Sequence, residues 1–482
     1  SPSREGEMLF RHLYGFLGCK QPCLRLWISS LTDEAITEGM ANLLPCDRFD
    51  NLFLAADSRN RADWLLGVNS SYAICKAVGF GNNSLGRVQT PVLAEICRRY
   101  RDRENHMPAD CWPVFISLCK NDRILKMRHV DDLVVRREAL ALYEDCKAAK
   151  SVRITAVGKR TEEIGAPALY NLAELQKDAN RYHSLTAIQV QEIAQGLYEK
   201  KLISYPRTSS RLLPKDVYDT LPPVMEKMLS RKEFRQYADT VDLAAPRDSI
   251  EAQDTMEHHA IIITGTQPGK LDREEMLVYT LIVGRMLETF MPPCKVEYTT
   301  VDAVCAARKF RIRTYRILEK GWLGIFEREH IVAKGRMPYQ VMPEFFQEEI
   351  LPVAGCSLIH KKSLPVSPYT DEELVDYMDK AGLGTVSTRT NILRTLLERK
   401  YIRYSGKYVV PTPKGLFLYE TVRGMKVADA SLTSGWETEL ARIERGELSQ
   451  EEFLDGVLET VNEVTGEISR NHPVEKRPQG TI

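Results

Sequence analysis

Two β-type segments, separated by a long helical stretch, constrain the architecture of this chain most strongly. In residues 111–165 and 295–360, alternating apolar residues and β-branched residues predict strands. Between them, residues 166–294 have the apolar spacing of helices. The sequence therefore predicts an α+β multidomain protein in which a helical domain is inserted into a β-rich domain.

The remaining segments are mainly helical. Within residues 36–110 the helical pattern is interrupted at Gly81–Gly86. A new helix is predicted to begin at Thr90-Pro91, where proline suits the first turn. Within 361–470, the order helix, helix and hairpin over residues 372–420 gives the outline of a winged helix. Residues 471–482 are polar with two prolines and are interpreted as a loose tail.

Charge and hydropathy narrow the functional classes. Lys+Arg and Asp+Glu both total 66, so a nucleic-acid surface would have to come from local clusters of basic residues. No apolar run approaches the roughly 18 residues that cross a bilayer, and no secretory signal opens the chain. No Gly-x4-Gly-Lys-Ser/Thr loop is present, which argues against nucleotide hydrolysis. We expect a cytoplasmic protein, without membrane attachment, that works without ATP.

The 11 cysteines are interpreted as reduced thiols. They lie mostly alone along the chain. The two closest, Cys19 and Cys23, have no second pair at the spacing of a zinc ribbon. Free thiols in a cytoplasmic protein are the expectation.

Tyr205 follows a predicted helix and precedes a proline. Ser184 to Lys200 repeats apolar residues on one helix face, and Pro206 disfavours helical geometry at Tyr205, so the side chain is predicted on an extended turn. A free tyrosine has a pKa near ~10 and needs a neighbouring cation or base to attack phosphorus. Arg207 would share its face on an extended strand and could hold a phosphate. The alternative is a turn whose tyrosine only packs on the surface.

The run from Tyr198 to Arg211 resembles the active-site segment of type IA DNA topoisomerases, especially of the bacterial topoisomerase III branch. Six further stretches resemble segments of that family in the same order. These stretches are Arg4–Glu7, Ser58–Asn69, Ser84–Pro91, Leu169–Asn180, His258–Thr264 and Gly382–Arg389. The resemblance rests on the order of these stretches and on their spread over nearly the whole chain. Composition and periodicity do not indicate the family.

The resemblance implies a mechanism. Tyr205 would attack a phosphodiester of single-stranded DNA, form a 5′-phosphotyrosine and free a 3′-hydroxyl, and another strand would pass before religation. Arg207 would stabilise the pentacoordinate phosphate, and His258 would hydrogen-bond the phosphate or assist proton transfer. For His258 the alternative is a packed core role beside the isoleucines that follow. Ile263 departs from the family, which usually has proline there.

Five further residues resemble DNA contacts of the family. Arg87 and Gln89 precede a predicted helix N-terminus, where backbone amides and a guanidinium can bind phosphate. Arg59 and Arg61 lie on one stretch with neighbouring acids, and Arg389 lies on the winged-helix-like segment. The alternatives are a surface charge for Arg87, salt bridges for Arg59 and Arg61, and a solvated helix face for Arg389.

The family's Toprim domain binds Mg²⁺ through an Asp-x-Asp-x-Glu motif. Glu5 matches its last acid, whereas Ser1 and Ser3 stand where the aspartates are expected. The resemblance makes Glu5 a candidate catalytic residue and makes Glu5 and Glu7 weak candidate ligands of Mg²⁺, the expected cofactor. The alternative is a pair of acids favoured by the dipole of a helix's first turn. The chain looks cut within the Toprim domain, so impaired cleavage is expected.

The resemblance also implies a toroid around a hole for DNA. A monomer that acts on DNA, mainly on single-stranded segments, is expected. The predicted parts are a Toprim remnant (1–35), a winged-helix-like DNA-binding domain (36–110 and 361–470), a β-rich arch (111–165 and 295–360), a helical domain with Tyr205 (166–294) and a tail (471–482).

Other tyrosine enzymes fit the sequence less well. A relaxase needs metal-binding histidines separated by one residue, whereas His258 and His259 are adjacent. A tyrosine recombinase places its tyrosine near the C-terminus, behind its histidine, whereas Tyr205 precedes His258. The alternative that stays open is a non-catalytic fragment that binds single-stranded DNA.

Overall fold

The structure is a computed structural model. It describes residues 3–28, 33–78, 82–232, 234–242, 250–251, 258–326, 328–334, 337–339, 342–386 and 388–471. Ser1 and the predicted tail from residue 472 onward lie outside the described residues, so the interpretations that concern them stay predictions.

The first helix packs against one long helix, α3 (Asp50–Val78). The first helix begins after Ser3, whose hydroxyl accepts a hydrogen bond from the N–H of Gly6 at 3.0 Å. Small buried side chains such as Ala55, Ala62 and Ser70 let neighbouring helices approach α3 closely. The elements are α1 (Arg4–Phe16), β1 (Leu24–Arg25), α2 (Asp33–Ala41), β2 (Leu44–Pro45), a 3-10 helix (Cys46–Phe49), α3 (Asp50–Val78) and α4 (Gln89–Glu104).

The predicted strands after residue 111 are present. The side chains of β4 alternate between buried and half-buried, as expected for a strand with one face on a core. A two-residue turn joins β4 to β5 at Asn121 and Asp122, whose φ angles of 51° and 59° fit a tight hairpin. The elements are β3 (Asp110–Cys111), β4 (Val114–Lys120), β5 (Arg123–His129), α5 (Arg136–Ala148) and β6 (Ser151–Ile164).

The helical region follows, as predicted. The apolar pattern predicted a helix over 184–200, whereas the structure begins it at Ala187, because Thr186 forms a capping box with Gln189. The elements are α6 (Leu172–His183), α7 (Ala187–Glu199), β7 (Leu213–Pro214), α8 (Lys215–Asp219), α9 (Leu221–Leu229), a 3-10 helix (Arg235–Tyr237), β8 (Ile250–Glu251) and α10 (Arg273–Thr289).

The chain then returns to the β region and closes a barrel. The strand order is β10-β5-β4-β11-β6-β9, and every neighbouring pair is antiparallel. Closure rests on short pairings of β10 with β5 and of β11 with β6, and β6, β9 and β10 pair with one another well beyond the closed part. The elements are β9 (Cys294–Cys305), β10 (Arg308–Glu319), α11 (Leu323–Phe326), α12 (Glu329–Val332), β11 (Ile350–Leu358) and β12 (Lys361–Lys362).

The carboxyl-terminal region contains the predicted helix, helix and hairpin, in a three-stranded sheet of order β13-β15-β14. One hydrophobic core joins side chains of α3 and α4 to side chains of this region. The elements are β13 (Tyr369–Thr370), α13 (Asp371–Lys380), α14 (Arg389–Glu398), β14 (Ile402–Ser405), β15 (Tyr408–Pro411), α15 (Pro413–Val422), a 3-10 helix (Lys426–Ala428), α16 (Ala430–Glu444) and α17 (Gln450–Asn471). The domain boundaries stay predictions. Among the described helices, none is both long and apolar enough to span a membrane.

The prediction that all cysteines are reduced is wrong at one pair. Cys23 and Cys46 form a disulfide bond. They are brought together because β1 pairs with β2, which places Leu24 opposite Pro45. The other nine cysteines are free.

Candidate active site

The segment after α7 and a later loop are hydrogen-bonded side by side. Ser204 donates its N–H to the carbonyl of Ile262 at 2.8 Å, and its hydroxyl accepts the N–H of Ile262 at 2.9 Å. Thr208 donates its hydroxyl to the carbonyl of His258 at 2.7 Å. These bonds satisfy backbone groups that would otherwise be left unpaired. They also hold the residues around Tyr205 next to His258.

Tyr205 lies beyond the end of α7, as the sequence predicted. The chain turns at Lys201, whose φ is 59°. The half-buried ring of Tyr205 has its centroid 4.6 Å from that of His258 and 5.3 Å from that of Tyr198. The phenol therefore contacts an imidazole while remaining partly open to solvent.

Arg207 lies two residues after Tyr205 and is half-buried. Its Nε is buried and has no hydrogen-bond partner among the described residues. A buried donor without an acceptor is costly. A phosphate oxygen would supply that acceptor and gain a charge-assisted hydrogen bond.

The two adjacent histidines lie in different environments. The ring of His258 contacts Tyr205. The Nδ1 atom of His259 instead lies 2.7 Å from the carbonyl oxygen of Ala260. Burial lowers the pKa of His259, although this hydrogen bond acts in the opposite direction. Both histidines are half-buried, so they differ in their partners and not in their exposure, a difference that the sequence did not indicate.

Arg211 has a supporting role that the sequence did not indicate. It donates from Nε to the carbonyl of Leu169 at 3.3 Å and from Nη2 to the carbonyl of Ala168 at 3.5 Å. The carbonyl of Tyr170 accepts the N–H of Ile261 at 2.8 Å. Three consecutive carbonyls before α6 therefore accept hydrogen bonds from the segment that carries Tyr205 and from the segment that carries His258. Every residue has a backbone carbonyl, so the residue types at these positions do not reveal which carbonyls accept hydrogen bonds. The sequence could therefore not predict these contacts.

Arg87 is buried in an ion-pair network. Its Nε lies 2.7 Å from Asp63 and its Nη1 lies 3.2 Å from Glu437. Burial alone would lower the pKa of Arg87, but the two carboxylates outweigh it and raise the pKa. A phosphate contact would require displacement of these acids, so the DNA contact stays a prediction. The surface charge considered as the alternative is not what the structure shows.

Glu437 also reaches the first helix. Arg4 on α1 places its Nη1 2.9 Å from Glu437, the same carboxyl group that pairs with Arg87. The structure thus brings together Arg87 and the start of the helix that carries Glu5.

Gln89 and Arg389 each begin a helix. Gln89 opens α4, and its Nε2 lies 3.4 Å from the hydroxyl of Ser84. Arg389 opens α14, is 8% exposed and pairs with Asp379 at 2.7 Å. Its Nη1 is buried without a hydrogen-bond partner in the described part of the chain. Arg389 is therefore not on a solvated helix face, and one of its donors is unsatisfied.

Arg59 and Arg61 lie on α3. Arg61 forms a salt bridge with Asp57 at 2.7 Å, one turn earlier, which is the alternative weighed for it. Arg59 is half-buried and forms no ion pair with any described residue. As DNA contacts both stay predictions.

Glu5 and Glu7 differ in what they can bind. Both lie in the first turn of α1, where the helix dipole favours acids. Glu7 is fully buried, with one oxygen 2.8 Å from Arg11 and the other in an ion pair with Arg25 at 2.7 Å. Glu5 is exposed. Because Glu7 is occupied by two cations and no cluster of three or more potential ligands occurs within the described ranges, these glutamates alone do not fit a magnesium site.

Comparisons with known proteins identify the family. The family described as DNA topoisomerase matches residues 47–455. The chain is 29% identical to DNA topoisomerase 3 of Bacillus licheniformis over 501 residues, which cover 97% of the chain and 68% of that relative. It is 28% identical to DNA topoisomerase 3 of Bacillus subtilis, again over 97% of the chain and 68% of the relative.

A solved structure shows the same fold. Full-length topoisomerase I from Thermotoga maritima matches with a TM-score of 0.76 and 20% identity, covering 96% of this chain and 77% of that one. The split barrel with its inserted helical region is thus a topoisomerase fold, and the predicted α+β multidomain class is confirmed. The chain belongs to the DNA topoisomerase family. Its predicted resemblance to the type IA enzymes of the bacterial topoisomerase III branch is confirmed.

Proposed function

We propose that this chain is an isomerase that cleaves single-stranded DNA through Tyr205, passes another strand through the break and religates it. Attack by the phenolic oxygen would form a 5′-phosphotyrosine and break the bond between phosphorus and the 3′-oxygen. The phenol loses one proton and the 3′-oxygen gains one, so a 3′-hydroxyl is released. The observation that carries the proposal is the contact of the Tyr205 and His258 rings at 4.6 Å on two hydrogen-bonded segments. One phosphoester replaces another, so the bond energy is kept and ATP is not needed.

Two side chains would assist the attack. The unsatisfied Nε–H of Arg207 would donate to a nonbridging phosphate oxygen and stabilise the charge that develops there. His258 would accept the phenolic proton or hydrogen-bond the phosphate. In these roles Arg207 would act on the DNA phosphate, and His258 would act on the phosphate or on the phenol of Tyr205.

The substrate class and setting follow from the family. DNA, mainly in single-stranded segments, is the proposed partner, with Arg59, Arg61, Arg87, Gln89 and Arg389 as proposed contacts. The bacterial relatives support action in the cytoplasm, and a monomer is proposed.

Mg²⁺ enters the proposal only as the family's expected cofactor. Since Glu5 and Glu7 do not by themselves fit a site for it, no step of cleavage is assigned to the metal. Glu5, as the one exposed acid of the pair, stays the proposed catalytic carboxylate of this helix.

The test is covalent transfer of DNA to protein. The chain and its Tyr205→Phe variant are incubated with a 3′-labelled single-stranded oligonucleotide, with and without Mg²⁺, and resolved on a denaturing gel. A 5′-phosphotyrosine retains the 3′ part of the strand, so label should migrate with the unmodified chain and not with the variant. Tyr198→Phe, which removes the hydroxyl of the neighbouring ring, is the matched control and should still form the adduct.

The outcomes separate the two functions considered. An adduct that persists in Tyr205→Phe would contradict the assigned nucleophile. Oligonucleotide binding without any adduct in the unmodified chain would favour the alternative, a non-catalytic fragment that binds single-stranded DNA.

A further inference from the structure

Four ionisable side chains form a buried cluster, three from helices of the helical region and one, Arg328, from the segment after α11. Asp178 accepts hydrogen bonds from Arg285 Nη2 at 2.7 Å, from the hydroxyl of Tyr170 at 2.5 Å and from Arg328. Glu288 lies 3.2 Å from Nε of Arg285 and 3.0 Å from Nε of Arg328. The exposed fractions of the four charged residues are at most 6%. We call these four residues the charge cluster.

Stability alone does not account for the charge cluster. Replacing a buried ion network by well-packed apolar side chains is often neutral or stabilising, because removing charges from water is costly. What the hydrogen-bonded part of this network supplies is geometry, since Asp178 is met by Arg285 and Arg328 in fixed directions. Glu288 pairs with the same two arginines by charge, without a hydrogen bond among the described residues. Here it joins α6, through Asp178, to α10 and to Arg328, which follows α11.

The charge cluster is bonded to residues 167–170, the carbonyl segment. Arg285 donates from Nη1 to the carbonyl of Ala168 at 3.0 Å. Thr289, one turn later on α10, shares its hydroxyl hydrogen between the carbonyl of Pro167 at 3.0 Å and the carbonyl of Arg285 at 2.8 Å. The ring of Tyr170 also lies under the Arg285 guanidinium, 4.1 Å from its carbon to the ring centroid.

The carbonyl segment is bonded in turn to both active-site segments. Arg211, on the Tyr205 side, donates to two of its carbonyls, and Ile261, on the His258 side, donates to a third. One short stretch of backbone is therefore bonded to both loops, in addition to the hydrogen bonds that join the loops directly. The charge cluster holds that stretch from the opposite side.

We infer that Arg285 is a positioning residue for strand cleavage, acting through the carbonyl segment on the spacing of Tyr205 and His258. This inference rests on the proposed function. Arg285 has no role in DNA binding here, because its guanidinium is buried and its contacts are with protein groups.

The test compares Arg285→Lys with a control that perturbs the same core elsewhere. Lysine keeps the charge but cannot donate to both Asp178 and Ala168 through a planar fork. We expect the single-turnover rate of adduct formation to fall about 10- to 100-fold, with unchanged oligonucleotide affinity. Amide hydrogen exchange in residues 202–212 and 258–264 should rise. The control is Met225→Ala on α9, which is 1% exposed and outside the charge cluster; it should lower the melting temperature without these changes.

The readouts distinguish failure of the inference from failure of the proposed function. If the unmodified chain forms no adduct, the proposed function fails, and hydrogen exchange still decides whether Arg285 positions the two loops. If Arg285→Lys lowers only the melting temperature, the inference is overturned. Should that variant not fold, Thr289→Val, which removes one hydroxyl donor to the carbonyl segment, gives the same exchange test, and unchanged exchange in both loops overturns the inference.

Discussion

The two carboxyl groups of the charge cluster differ in proton affinity although both are buried. Burial raises the pKa of Glu288 to about 7, even though Arg328 and Arg285 favour its charged form. Burial acts in the same direction on Asp178, but the same two arginines outweigh it and lower the pKa. One carboxylate stays charged through the neutral range, whereas the other changes its protonation within it.

A pH dependence of stability follows for Glu288. Because its pKa is raised on folding from 4.5 to about 7, its contribution to stability is complete below the unfolded value and is lost as pH rises through about 7. Glu288→Gln is neutral at every pH. Its free energy of unfolding should rise relative to the unmodified chain across that interval, by up to about 3 kcal/mol, in urea titrations at a series of pH values. A difference that does not vary with pH would contradict the assignment.

Adjacent histidines give a second prediction at this scale. His258→Gln should slow adduct formation by about 100-fold, because it removes the proton acceptor at the phenol. His259→Gln should leave that rate nearly unchanged, because the His259 ring is held against the carbonyl of Ala260. Single-turnover rates at a temperature where both variants are folded provide the comparison. A larger loss of rate in His259→Gln would reverse the assignment.

At the scale of elements, α7 positions the Tyr205 loop because its start is fixed twice. Thr186 and Gln189 form a capping box, and the N–H of Ala187 donates to the carboxylate of Asp371 on α13 at 2.7 Å. Burial raises the pKa of Asp371, although hydrogen bonds from Ala187 and Tyr404 act in the opposite direction. The helix start therefore depends on a contact within its own turn and on a contact from another region.

Removal of the cap should destabilise the helical region. Thr186→Ala loses the hydroxyl that accepts the N–H of Gln189 at 3.2 Å, and we expect a loss of about 1 kcal/mol in the free energy of unfolding. Thr186→Ser keeps the hydroxyl and is the matched control. Urea denaturation of both variants measures the difference. Equal stability of the two would show that the Asp371 contact alone fixes the helix.

Local patterns predicted the elements that local interactions determine. The helix before Tyr205 was predicted over 184–200 and runs from Ala187 to Glu199, because apolar spacing reports a buried face but capping sets its ends. The position of Tyr205 beyond that helix followed from Pro206 in the same way.

Features that depend on tertiary pairing had no such signal. The bond between Cys23 and Cys46 depends on two strands of two residues each, too short to show alternation. The charge cluster joins residues 178, 285, 288 and 328, whose distances along the chain have no period. The pairing of Tyr205 with His258 was expected from the family resemblance, and the backbone bonds that hold it could not be.

At the scale of the whole molecule, the helical region has two interfaces of different character. Toward the barrel, Arg328 is buried, and α11 approaches α10 so closely that a Cβ on Gly284 would lie 2.0 Å from the ring of Phe326. Toward the carboxyl-terminal region, α6 meets α13 through more exposed ion pairs, such as Lys177 with Asp376 at 2.8 Å. In the proposed function, strand passage requires the Tyr205 loop to separate from part of the molecule, and we expect the second interface to open more readily because its ion pairs are more exposed.

Salt should therefore loosen one interface and not the other. Between about 0.1 M and about 1 M ionic strength the Debye length falls from about 10 Å to about 3 Å, which weakens exposed ion pairs far more than buried ones. Amide hydrogen exchange should rise in α6 and α13 over this range, while α10 stays protected.

Lys177→Met should raise the exchange of α6 and α13 already at low salt, because it removes the cation shared by Glu174 and Asp376. Lys334→Met, which breaks an exposed pair with Glu162 on the barrel, is the matched control and should leave both helices unchanged. An equal response of α10 to salt would mean that the two interfaces do not differ in strength, and the expected direction of opening would then be wrong.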